Sequence, residues 1–136
     1  MPFYTCFSIT NSLSPAQKAF IDEEITRIHT TVTTAPRSFV RVLFQEMHPS
    51  DIFSGGKLRP FAMIRGAIRA GRSAETKAEL LKQLWAMLQE VTRLEDGQLL
   101  VSVQDNPASN AMEGGEILPE PQHEAEWLAR HSHADR

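Results

Sequence analysis

The chain opens MPFYTCFSIT, with a proline directly after the initiator methionine. If that methionine is removed, the new chain end is a secondary amine, more nucleophilic than a primary one and able to serve as a proton-transfer base. Met-Pro openings also occur without function, so both readings stand on this feature alone. Arginines form a second group of candidates: Arg65, Arg69 and Arg72 lie in MIRGAIRAGRSAETK, with Arg72 immediately before Ser73. Guanidinium groups bind carboxylates through paired hydrogen bonds, and a helix start adds free amides and the positive end of its dipole. Arg69 and Arg72 therefore suit a small carboxylate, with a solvated basic edge as the plain alternative. Arg41 and Arg65 are further options, but neither is tied to a helix start. Glu113, in NAMEGG, is a carboxylate beside a flexible glycine pair that could polarise a water or simply be solvated. His123, His131 and His133 lie near the end in a polar tail without companion ligands at a firm spacing, so no metal site is expected.

These residues need elements to place them. PFYTCFSI reads as a strand, and SPAQKAFIDEEITRIHTTV as a helix capped by Ser14 with Pro15 in its first turn. Ile21, Ile25, Ile28 and Val32 mark its buried face. SFVRVLFQE is the next strand candidate, with Phe39, Arg41 and Leu43 on one face and Val40, Val42 and Phe44 on the other. The second half repeats the order with AMIRGAI, SAETKAELLKQLWAMLQEV and GQLLVSVQD, its helix capped by Ser73 and striped by Leu80, Leu84, Met87 and Val91. Ser14 and Ser73, Lys18 and Lys77, Ile25 and Leu84, Val32 and Val91, and Gln45 and Gln104 all stand 59 positions apart. A register kept through strand, helix and strand predicts two βαβ units, about 2–46 and 61–105, sharing a four-stranded sheet with both helices on one face. Residues 106–136 form a C-terminal extension that could wrap a neighbouring subunit, ending in a polar, frayed LARHSHADR. His29 breaks the repeat, because its counterpart is Leu88. At about 100° per residue it falls at the margin of the apolar stripe, where a side chain can face a cleft or bond a carbonyl.

Composition narrows the classes. One domain spanning 1–136 with a real core fits the length, and the net charge of −3 argues against a nucleic-acid binder held by phosphate contacts. Cys6 is the only cysteine, which leaves no disulfide framework and fits a reducing, cytoplasmic setting. No apolar run approaches the ~20 residues of a membrane span.

The Met-Pro start, LSPAQK, the late helix histidine, FQE, GRSAETK and MEGGEILPEPQHEAEW together resemble the tautomerase superfamily, specifically its cis-3-chloroacrylic acid dehalogenase branch. The proline and the GRS junction are shared across the superfamily, while the histidine and the LPEPQHEAEW-type tail are narrower signs. The resemblance covers nearly the whole chain and implies an α+β fold of two tandem βαβ units, a homotrimer, and no metal or organic cofactor. By position it implies Pro2 as catalytic proline, His29, Arg69 and Arg72 as substrate-binding residues, and Glu113 as the water-activating carboxylate. Ser102 stands where the dehalogenase has a tyrosine that works with the glutamate, and Ala35 where it has a threonine. Serine is shorter and less acidic, which weighs against dehalogenation and leaves tautomerase and hydratase chemistry. The expected function is proton transfer on small enol, 2-keto or unsaturated carboxylates. The competing readings are a non-catalytic trimeric carboxylate-binding or interaction module, and a nucleic-acid binder using residues 57–77, which the acidic balance disfavours.

Overall fold

The computed structural model describes residues 1–131. Strand β1 (Phe3–Ile9), helix α1 (Pro15–Thr33) and strand β2 (Arg41–Met47) form the first unit. A two-residue hairpin follows, β3 (Phe53–Ser54) and β4 (Lys57–Leu58). Strand β5 (Ala62–Arg69), helix α2 (Ala74–Thr92) and strand β6 (Leu99–Asn106) form the second unit, followed by hairpin β7 (Met112–Glu113) and β8 (Glu116–Ile117), then helix α3 (Glu124–His131).

The helix starts follow from local chemistry. Ser14 Oγ accepts from the Gln17 amide at 3.1 Å while Gln17 Oε1 accepts from the Ser14 amide at 2.8 Å, a reciprocal cap with Pro15 in the first turn. Ser73 Oγ accepts from the Thr76 amide at 3.1 Å in the same way. Both helices end at a left-handed residue, Thr34 at φ 66° and Arg93 at φ 60°, again 59 positions apart.

The main sheet has the order β2-β1-β5-β6, with β1 parallel to β2, β5 parallel to β6, and β1 antiparallel to β5. Tyr4 pairs with Gly66 and Phe7 with Met63. Because Met63 and Gly66 are the counterparts of Tyr4 and Phe7, this pairing places an approximate two-fold axis between the central strands. Ile21, Ile25, Ile28, Leu80, Leu84 and Leu88 are buried against Tyr4, Cys6, Ile64 and Ile68 on the helix-covered face. The opposite face carries exposed Phe3, Leu43 and Leu100.

Two differences from the sequence reading matter for the site. Phe39 does not extend β2; it sits in a single 3-10 turn, Arg37–Phe39, and is buried away from the main core. Residues 128–131, expected to fray, instead belong to helix Glu124–His131, because Trp127 buries its ring against Phe39, Ala108 and Leu118; the remaining 132–136 of that expected tail lie outside the described residues. The offset of 59 also relates the two Gly-Gly hairpins, so the duplication runs on past 46 and 105. Among the described residues no helix is long and apolar enough to cross a membrane.

Candidate active site

Antiparallel pairing of Phe3 with Ala67 brings the start of β1 beside the end of β5, where Arg69 emerges. Parallel pairing of Arg69 with Asn106 ends β6 at the same place, and the chain then turns through Ala108–Asn110 into β7, which carries Glu113. Residues far apart in sequence therefore meet around the chain start. The Met1 amine pairs with Glu113 Oε1, and the Met1 sulfur accepts from Asn106 Nδ2 at 3.1 Å. Pro2 is fully buried, its carbonyl accepting from the Arg41 amide at 3.1 Å.

Burial, then the Arg41 and Arg69 guanidiniums, push the pKa of the terminal amine down from 8.0 to about 5. The Glu113 carboxylate opposes this by favouring the charged form. The net direction is downward, since burial and two cations act against one carboxylate that is itself partly solvated.

Arg69 is only 4% exposed, yet its Nε and Nη1 have no hydrogen-bond partner. Glu124 Oε1 lies 3.4 Å from Nη1, near enough for an ion pair but without hydrogen-bond alignment. Buried guanidinium donors left unsatisfied are costly, and an incoming carboxylate would satisfy them. Arg72 is half-buried and donates from Nη1 to the Thr33 carbonyl at 3.2 Å, tying the start of α2 to the end of α1.

His29 lies in this neighbourhood but is 2% exposed, and its Nδ1 is 2.8 Å from the Tyr4 hydroxyl. Burial, Arg72 and the chain terminus lower its pKa to about 4, so the ring is neutral near pH 7. A neutral imidazole whose Nδ1 accepts from tyrosine carries its proton on Nε2. Burial raises the Tyr4 pKa, which keeps that hydroxyl a donor.

Ser102 is not brought into this cluster within one chain. It pairs with Arg65 on β6, whose neighbours Val101 and Val103 face the core, so Ser102 lies on the open face of the sheet. Three participants escaped the sequence reading. Tyr4 alternates inward from Phe3, but nothing in sequence shows its contact with His29. Glu124 and Trp127 come from α3. The Trp127 ring meets Phe39 edge to face at 5.3 Å and stacks on His131 at 4.1 Å, in a cluster against which Met1 packs. His131 thus serves packing. Among the described residues no group of three His, Cys, Asp or Glu side chains could hold a metal ion, and His133 lies outside them.

Residues 1–132 match the family model Tautomerase_3, described as "Putative oxalocrotonate tautomerase enzyme". No curated protein matches the chain in sequence. Among solved structures, native Ps01740 is 40% identical, covering 82% of this chain and 99% of its own, with a TM-score of 0.80. N1, a member of the cis-3-chloroacrylic acid dehalogenase family, is 31% identical over 93% of this chain and 90% of its own, with a TM-score of 0.87. The R7 fused 4-OT, an asymmetric trimer, is 26% identical over 85% of this chain and 94% of its own, with a TM-score of 0.77.

Proposed function

Because the chain belongs to the Tautomerase_3 family, we propose that it is a tautomerase that uses Pro2, exposed by removal of Met1, to move protons on small enol or 2-keto carboxylates. The observation that carries this reading is the burial of the chain start beside Arg69, a buried guanidinium with unsatisfied donors, in surroundings that push the Met1 amine down to about 5. Once Met1 is removed, burial and the same Arg41 and Arg69 guanidiniums would act on the Pro2 amine and favour its neutral form. That form is a base rather than an acid.

In the proposed reaction the substrate carboxylate takes the free donors of Arg69, with Arg72 beside it. The neutral Pro2 nitrogen accepts the enol hydroxyl proton as the C2–O bond becomes a carbonyl and the C2–C3 double bond becomes single. The same proton is then delivered to C3, so atoms and charge balance without a further reagent. The two guanidiniums stabilise the enolate-like charge that develops on oxygen. His29, neutral and fixed by Tyr4, acts as a hydrogen-bond donor rather than a cation.

A second mode needs a cationic Pro2 to protonate carbon while Glu113 directs water at the other end of an unsaturated acid. Surroundings that disfavour a cationic amine, and a serine at position 102 that is shorter and less acidic than the tyrosine the dehalogenase has there, both favour tautomerisation over that hydration or dehalogenation. The subunits are proposed to assemble as a homotrimer, in keeping with the trimer described for the R7 fused 4-OT. The free, buried Cys6 is compatible with a reducing cytoplasm. Parallel assays of phenylenolpyruvate ketonisation and cis-3-chloroacrylate turnover test the choice: ketonisation should be the faster by a wide margin. Chloride release matching or exceeding ketonisation would reverse the assignment.

A further inference from the structure

We propose that the chain carries a second ligand site, at the opposite end of the sheet from Pro2, for an amphipathic carboxylate with an apolar body. A cavity of about 840 Å³ opens there and shares no residue with the Pro2 cluster. That volume lies within the range of small-molecule sites. Its lining is the counterpart of the candidate active site under the 59-residue offset. Phe61 stands where Pro2 does, Leu13 where Arg72 does, and Leu94 where Ala35 does. The duplicated fold therefore sets corresponding positions at the two ends of the sheet and furnishes them differently.

The second recess cannot repeat the chemistry of the first. The nitrogen of Phe61 is a peptide amide following Pro60, so it offers no amine base, and Ser54 occupies the place of Glu113. What remains is binding. Leu13, Leu94 and Phe61 supply apolar wall. Ser8 lines the cavity with 2% exposure, and its Oγ has no hydrogen-bond partner, an unsatisfied buried hydroxyl that points to a polar group on a ligand. Arg59 and Arg93 also line the cavity, both are exposed, and neither forms an ion pair among the described residues. Their counterparts in the Pro2 half are Leu118 and Thr34, so the cations here are not inherited from the repeat but particular to this recess. An apolar interior with two unpaired guanidiniums among its lining residues fits a carboxylate bearing a hydrocarbon or aryl body.

Octanoate is a direct probe, titrated calorimetrically into the full chain. Arg69→Ala combined with Arg72→Ala disables the Pro2 site, and this variant should still bind octanoate saturably at one site per chain. Arg59→Ala combined with Arg93→Ala should weaken that binding by at least about tenfold. Leu94→Trp, which fills the recess without altering charge, should abolish it, with melting curves confirming that each variant is folded. The proposal is overturned if binding is lost with Arg69 and Arg72, if it is indifferent to Arg59 and Arg93, or if the assembled protein shows no saturable binding at millimolar octanoate. The last result is also the one a neighbouring copy seated in the recess would give.

Discussion

His29 shows how a single residue can record its surroundings. Its pKa is lowered from 6.5 to about 4, first by burial and then by Arg72 and the chain terminus. The unfolded chain therefore binds a proton at a higher pH than the folded one. The stability that this neutral ring contributes is complete above pH 6.5 and is lost as pH falls towards 4, by up to about 3 kcal/mol. Urea unfolding of the native protein and of His29→Leu at pH 7 and pH 4.5 checks this. At pH 7 the variant should be less stable by roughly 1–3 kcal/mol, because the Tyr4 hydroxyl loses its buried partner. At pH 4.5 the difference should narrow or reverse. An unchanged difference would mean that the ring is protonated in the folded state. The sequence marked His29 through its break with Leu88, but it could not show the Tyr4 contact, which depends on how α1 lies across β1.

At the scale of elements, the central strands pass at a point where only glycine fits. A Cβ on Gly66 would sit within the ring of Tyr4, its partner across the β1–β5 pairing, and β-sheet backbone leaves that ring no easy exit. Gly66→Ala should therefore cost about 1–3 kcal/mol in urea unfolding and should displace Tyr4 from His29, seen as altered imidazole resonances in NMR spectra. Unchanged stability and spectra would show that the ring has another resting place. The capped helices, their apolar stripes and the strand–helix junction bearing Arg69 and Arg72 were legible, because Ser14, Ser73 and the fixed offset state them locally. The two-residue hairpins were not, since so short a strand leaves no alternation to read. Helix α3 was missed for a related reason. Eight residues with charged flanks read as a tail, and their order comes from Trp127 finding Phe39, a contact spanning 88 positions that no local pattern announces. The two carboxylates nearest the arginine and the amine, Glu124 and Glu113, differ in the same way: the Gly-Gly pair flagged one, and nothing flagged the other.

The whole molecule presents a sheet with one face packed under two helices and the other exposing Phe3, Leu43 and Leu100. Leu43 lies on β2 and Leu100 on β6, the two edge strands, so the open face offers apolar contact at both margins. In a homotrimer such side chains would be covered, and Leu43→Glu should shift native mass spectra from trimer towards monomer. A variant that stays trimeric would place the interface elsewhere. Assembly also bears on Ser102, which faces the same open side and could meet a Pro2 site only across a subunit boundary. The proposed activity turns on the chain terminus. Its most direct test joins intact-mass analysis to phenylenolpyruvate ketonisation in the native protein and in Pro2→Ala. The predicted result is a native mass lacking methionine and a ketonisation rate that falls at least about 100-fold in the variant. Retained methionine in an active enzyme, or full activity in Pro2→Ala, would contradict the catalytic proline.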